Sequence, residues 1–194
     1  MNHDITIEGP GYRLRPIRLD DAATIVDIRL NDRQRNRFIN PISPDPKDQE
    51  AYLKSYMDRA GDYYFVIERR STGRPEGLVA IYDQDDEHEG WAEWGRWVLL
   101  PDSPAGPESA WLTYKAGFEA LGLDLLYCRT VAANERVVSF HDSCGLARDK
   151  VLKDYVTLDG KTQDSVEHHL AKEAWPEVDR KLAPIAARLA RKLS

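Results

Sequence analysis

The stretch that decides the fold is Leu125-Leu-Tyr-Cys-Arg-Thr-Val131, followed closely by Asn134-Glu135-Arg136-Val137-Val138-Ser139-Phe140-His141-Asp142-Ser143-Cys144-Gly145-Leu146. The first part is apolar and β-branched, the composition of a strand. Asn134 then opens a turn, the next residues supply about three helical turns, and Gly145 before an apolar residue ends the helix.

Working outward, Tyr12 to Arg18 alternates apolar and basic residues like a half-buried strand, with Pro16 marking an edge or a bulge. Asp20 or Asp21 caps a helix through Leu30, and a second helix covers Asp48 to Arg59. Three strands follow, Tyr63 to Arg69, Gly77 to Tyr82 and Gly90 to Leu100. Trp111, Tyr114, Phe118 and Leu121 then lie on one face of a helix over Pro107 to Gly122. After the opening stretch come two strands, Ala147 to Leu158 and Lys161 to His169, joined by the turn pair Asp159-Gly160. A tail from Trp175 to Ser194 has helical spacing interrupted by Pro184.

The 194 residues suit one domain, with 42% hydrophobic and 31% charged residues placing the chain in the globular class. A net charge of −6 argues against a nucleic-acid binder, which must neutralise phosphates. Two cysteines make no disulfide framework, no run approaches the ~18 apolar residues of a membrane span, and Met1-Asn-His-Asp4 does not begin a signal peptide. A cytoplasmic location is expected.

The strand and helix quoted first resemble the signature of the GNAT acyl-CoA N-acetyltransferase superfamily, roughly N-x-x-[AVS]-x-x-[FL]-[YH]-x-x-x-G-[FL]. The element order matches that fold over roughly residues 11–170. The resemblance implies an α+β, three-layer fold with a mixed, mostly antiparallel sheet, a strand splay, helices on both faces and an extra C-terminal helix. Residues 1–172 would form the acetyltransferase domain and 173–194 an amphipathic extension packed on that domain or on a second subunit, leaving a homodimer open.

The same resemblance implies acetyl-CoA as co-substrate, no metal, and a small-molecule amine as acceptor. The cofactor's pyrophosphate would lie at the helix start after Leu99-Leu-Pro-Asp-Ser-Pro-Ala-Gly-Pro-Glu-Ser109, where backbone N–H groups and the helix dipole favour anions. This loop departs from the family pattern [QR]-x-x-G-x-[GA], and Pro107 has no N–H to give. Leu99, Leu100, Ala105, Gly106, Ser109 and Ala110 are the candidate cofactor contacts, with Glu108 an adverse charge. Asn134 either caps its helix or hydrogen-bonds the pantetheine arm.

His141, seven residues after Asn134, occupies the position of the family's general acid, and a near-neutral imidazole suits that task. Glu93, in Trp91-Ala-Glu-Trp94, is the candidate base, its pKa raised by neighbouring tryptophans, or else a solvent-facing strand residue. Arg29 and Asn31, in Ile28-Arg-Leu-Asn-Asp32, resemble a substrate-binding element of amino-sugar and ribosomal-protein acetyltransferases. Arg29, Arg33, Arg35 and Arg37 form a basic cluster suited to a sugar-nucleotide diphosphate or to a solvated helix face.

An amino sugar, nucleotide-linked or free, is therefore the expected acceptor. A protein N-terminus and a non-catalytic ligand-binding module with a degenerate loop are the alternatives. Three other features read as structural. Asp83 to Gly90 lacks the ligand spacing of a calcium loop, His168 and His169 point to opposite faces, and Cys144 has no activating base nearby.

Overall fold

The computed structural model describes residues 3–82 and 88–193. Most of the Asp83 to Gly90 segment, Met1, Asn2 and Ser194 lie outside the described residues.

One eight-stranded sheet organises the chain. Its elements in sequence are β1 (Ile7–Glu8), β2 (Tyr12–Pro16), α1 (Ala22–Leu30), α2 (Pro46–Tyr56), β3 (Tyr63–Arg69), β4 (Pro75–Tyr82) and β5 (Trp91–Leu99). There follow α3 (Gly106–Lys115), β6 (Leu125–Val131), α4 (Glu135–Cys144), β7 (Ala147–Leu158), β8 (Lys161–Ala171) and α5 (Trp175–Ala190). The spatial order is β1-β2-β3-β4-β5-β6-β8-β7, antiparallel throughout except where β5 meets β6.

Strand alternation sorts side chains onto two faces. Phe65, Ile67, Val79, Ile81 and Trp94 point toward α3 and α5 and share one core with Leu112, Tyr114 and Leu182. Tyr64, Val66, Leu78 and Ala80 point the other way and pack on Ile25 and Ile28 of α1 and Leu53 and Tyr56 of α2. Pro16 ends β2 beyond the reach of the two-residue β1, so its missing N–H breaks no ladder.

Three differences from the sequence reading have local causes. The helix begun by α3 widens into a π-helical turn over Ala116–Ala120, where Leu121 N–H reaches Ala116 O at 2.9 Å. Gly117 faces Leu126 there so closely that a Cβ would stand 2.5 Å from its Cδ1. α5 runs through Pro184 unbroken, because Val178, Leu182 and Ala186 bury one stripe across the proline. That stripe packs on α3 and α4 of its own domain, and Trp111 Nε1 donates to Asp179 Oδ1 at 2.7 Å. β1 was too short to read.

Candidate active site

β5 and β6 pair in parallel over three rungs only, Trp91 with Leu125, Ala92 with Leu126 and Glu93 with Tyr127. Beyond Glu93 they part. On its other side β5 slips register against β4, since Ala80 faces Gly95 but Leu78 faces Val98, which is a β-bulge centred on Arg96 and Trp97. Arg96 holds a left-handed φ of 51°, unusual for a residue with a side chain. Its guanidinium is tied to Asp62 at 2.8 and 3.0 Å and lies 4.4 Å over the Tyr82 ring. The bulge turns the end of β5 away from β6, leaving backbone edges on both sides without a ladder partner.

Three spaces meet at this splay. A gap of about 120 Å³ lies within it, lined by Trp94, Trp97, Cys128, Asn134 and His141. A cleft of about 210 Å³ continues past Leu99, Gly106, Asn134 and Arg136 to the starts of α3 and α4. On the α1–α2 face a larger cleft of about 520 Å³ holds Glu93, Arg29, Arg96, Arg129 and four tyrosines, 52, 64, 82 and 155. Gly95, Arg96, Arg129 and Val131 line both this cleft and the gap.

Glu93 stands on the last rung before the strands part, its side chain toward the larger cleft. The tryptophans do not enclose it as expected. Trp94 points into the opposite core against Tyr114, and Trp91 stacks on His88. Instead Arg129 donates to Glu93 Oε2 at 2.9 Å and the Tyr82 hydroxyl to Oε1 at 3.2 Å. Arg129 also holds Glu167 at 2.7 Å, and Lys150 and His169 reach the other Glu167 oxygen at 3.1 and 2.9 Å. Asp149, Glu167 and His169 come within ligating distance of one another. Because Glu167 already accepts from cations at both oxygens, this group is an ion-pair network and not a metal cradle.

His141 is 2% exposed, within ring-contact distance of Trp94, Trp97 and Phe140, with His168 5.3 Å away between ring centres. Burial, then the neighbouring His168, pushes its pKa down to about 3, with Asp142 opposing weakly. With its pKa so lowered, the ring is neutral at pH 7 and offers a ring N–H. His168 and His169 face opposite sides as read, the first toward Asp142 and the second toward Glu167. Cys144 is buried, with its thiol pushed up to about 11 by desolvation. Among the described residues no helix is long and apolar enough to cross a membrane.

The loop before α3 needs several corrections. Ser109 is fully buried, its N–H bonded to Ala105 O and its hydroxyl held between Trp97 Nε1 and Gly106 O. Ala105 N–H is taken by Ser103 Oγ and Leu100 N–H by Glu76 O, while Ala110 is buried within the helix. None of these four N–H groups is available to a phosphate. Gly106 remains, at the mouth of the cleft, where a Cβ would meet only Leu99 at 3.8 Å. Glu108 turns its carboxylate away from the helix start to accept Gly11 and Tyr12 N–H at 2.8 and 2.9 Å. The charge expected to repel an anion is therefore directed elsewhere.

Asn134 makes no side-chain cap, so the capping alternative fails, and its amide faces both the gap and the cleft beside α3. Arg29 lines the larger cleft, donating to the Asn40 carbonyl. Asn31 is exposed and lines none of the clefts described; its backbone N–H merely closes α1 on Asp27. Asn36 is the asparagine that organises the connector, donating to the Ile28 and Arg29 carbonyls. Arg129 and Arg136 were missed, and Arg35, read as part of the basic cluster, lies on the cleft beside α3 instead. A charge in the middle of the apolar strand Leu125–Val131 was the available signal for Arg129.

Comparison with known proteins agrees with this geometry. The model of the GNAT acetyltransferase domain matches residues 12–147. The apo structure of FdhC, a nucleotide-linked sugar GNAT, is 26% identical over 95% of this chain and 99% of its own, with a TM-score of 0.80. An acetyltransferase structure from T. thermophilus is 26% identical over 94% and 97%, with a TM-score of 0.76. The spermidine N-acetyltransferase SpeG of Vibrio cholerae shares the fold at 17% identity, covering 85% and 96%, with a TM-score of 0.73. No curated protein matches in sequence. A domain match across most of the length, on a sheet splayed beside a bulged strand, means that this chain belongs to the GNAT acetyltransferase family.

Proposed function

We propose that the protein is an acetyl-CoA-dependent N-acetyltransferase acting on the primary amine of an amino sugar. The observation that carries the reading is the position of Glu93, a carboxylate on the last rung before the splay, where the acceptor cleft opens onto the gap.

The chain's residues fit a nucleotide diphosphate with an extended amide arm. Gly106 permits close approach at the start of α3, where the helix dipole favours an anion. Arg136 and Arg35 line the same cleft, and Arg136 makes no ion pair among the described residues. Asn134 presents an uncommitted amide further in. Acetyl-CoA supplies the activated acyl group. The unpaired edge of β5 at the Arg96 bulge offers backbone donors to the thioester carbonyl as charge develops there, a position nearer the splay than Leu99.

The amine attacks the carbonyl carbon from the larger cleft, the carbon–sulfur bond breaks, and Glu93 takes the proton released by nitrogen. Arg129 and Tyr82 fix the Glu93 carboxylate in place. The sulfur leaves as thiolate and takes its proton from water, with His141 serving as a neutral hydrogen-bond donor.

Four tyrosines give the acceptor cleft flat, hydroxyl-bearing walls suited to a sugar ring. Arg29, which has no carboxylate partner among the described residues, disfavours a polyamine. Tyr155, Val156 and Leu158 of β7 close one side, which disfavours a protein N-terminus.

The test is thiol release from acetyl-CoA with purified protein and a panel of free amino sugars, N-terminal peptides and spermidine. Turnover with amino sugars above the other two classes is the expected outcome. Turnover confined to peptides or spermidine, or none with any amine, would sink the reading.

A further inference from the structure

Resting on the amino-sugar reading, we infer that the acceptor carries a phosphate ester and that Arg29, Arg33 and Arg37 form the subsite that holds it. The three arginines are spaced four residues apart, one at the end of α1 and two in the turns that continue it. Together they line a recess of about 240 Å³ beside the β7–β8 turn. Arg35, between them in sequence, lines the cleft beside α3 instead, its Nη1 3.3 Å from Leu100 O. The connector thus presents guanidinium groups to two separate spaces.

Positive charge gathers at the recess. The chain carries 33 acidic residues against 27 basic ones. Arg13, Arg15, Arg69, Arg96, Arg129 and Arg148 all have carboxylate partners. Arg29, Arg33 and Arg37 have none among the described residues. Arg29 and Arg37 spend hydrogen bonds on the carbonyls of Asn40 and Gln34. Like charges around one small recess repel, and Asp159 is the single acid in its wall. Three guanidinium forks around one small space match the oxygens of a phosphate.

The recess adjoins the acceptor cleft, with Arg29, Ile39, Asn40, Ile42 and Leu158 as walls common to both. One molecule can therefore set its amine at Glu93 and its phosphate at the arginines. Asn36, bonded to the carbonyls of residues 28 and 29, keeps Arg29 at the junction. A sugar phosphate and a nucleoside-diphosphate sugar both offer this chemistry.

The test is calorimetric titration into protein saturated with CoA, so that the donor cleft is filled. Glucose 1-phosphate, UDP, dTDP and inorganic pyrophosphate are the probes, against wild type, Arg33→Gln/Arg37→Gln and Arg33→Lys. Arg33 and Arg37 are exposed, so their replacement leaves the core untouched. Binding to the CoA-saturated wild type, weakened about tenfold or more in the double glutamine variant and less in the lysine variant, which keeps the charge without the fork, is expected. Preference for UDP or dTDP over glucose 1-phosphate and pyrophosphate assigns a nucleotide; equal binding assigns phosphate alone.

The kcat/KM ratio for glucosamine 1-phosphate over glucosamine is expected to fall by a similar factor in the double variant. No binding of any probe, or binding indifferent to Arg33 and Arg37, overturns the subsite. Turnover of free amino sugars would then leave the broader reading standing, whereas probe binding without any amine turnover would fault that reading alone.

Discussion

Replacing His141 with phenylalanine is expected to make the stability of the protein less sensitive to acid. Unfolded, the ring takes a proton below 6.5; folded, only below about 3. Between those values the unfolded chain holds the extra proton, so folding stability falls as pH drops through 6.5 and continues to fall until about 3. pH 5 lies about 1.5 pH units below the unfolded value, and each unit is worth about 1.4 kcal/mol, so the imidazole costs about 2 kcal/mol there. Phenylalanine has no proton to bind and fits an enclosure already built from Trp94, Trp97 and Phe140.

Urea unfolding of both proteins at pH 5, 6, 7 and 8 measures the effect. Wild type is expected to lose about 2 kcal/mol more than the variant between pH 7 and pH 5. Asp142, Arg148 and His168 stay in place in both proteins, so the difference isolates residue 141 and its coupling to His168. Parallel pH slopes, or an imidazole resonance of His141 titrating near 6.5 in the folded protein, would refute the reasoning. That second result would also return His141 to the role of general acid.

Glu93→Gln keeps a hydrogen-bonding partner for Arg129, which also retains Glu167, so it costs about 1 kcal/mol or less in stability. The same change is expected to lower kcat by about 10²-fold or more; a loss under threefold across the pH range would remove Glu93 from catalysis. Asn134→Ala removes no cap, so its melting temperature stays within about 2 °C of wild type while CoA binding, read by calorimetry, weakens about tenfold. Falling stability with unchanged CoA affinity would reverse that assignment. Gly117→Ala puts a methyl group 2.5 Å from Leu126 Cδ1 at the π-helical turn. Overpacking of this kind costs about 1–3 kcal/mol, and a melting temperature above wild type would show that the turn is not set by this contact.

Much of the fold could be read because its strands carry their own pattern. Tyr63–Arg69, Leu125–Val131 and Ala147–Leu158 run between the same residues that their β-branched and aromatic content marks. Asp159 and Gly160 turn the last hairpin with φ values of 50° and 72°, the left-handed pair that an Asp-Gly turn supplies. The bulge in β5 also left a trace, a glycine at 95 inside an apolar strand, which went unread.

The rest of the site depends on contacts between distant segments. Glu108 is turned away from the helix start by Gly11 and Tyr12, roughly a hundred positions earlier in the chain. Ser109 is taken by Trp97. His141 is held neutral by aromatic side chains from β5 and its own helix, and by His168 of β8. Hydrophobic period and turn chemistry carry no record of such partners, which is why the loop donors were misjudged while the strands were not.

The three-rung junction between β5 and β6 has a consequence for how the molecule yields. The strands β1 to β5 close on one another through sequential antiparallel pairings, whereas β6, β8 and β7 form a second block. Pulled apart or destabilised, the two blocks give way along the seam that joins them by three rungs, and that seam borders the gap. A thioester arm lodged between the strands replaces missing stitches, so amides on both blocks should exchange more slowly together when CoA is bound. The co-substrate would then be a temporary part of the protein's own framework, and each turnover would end by unfastening the two halves.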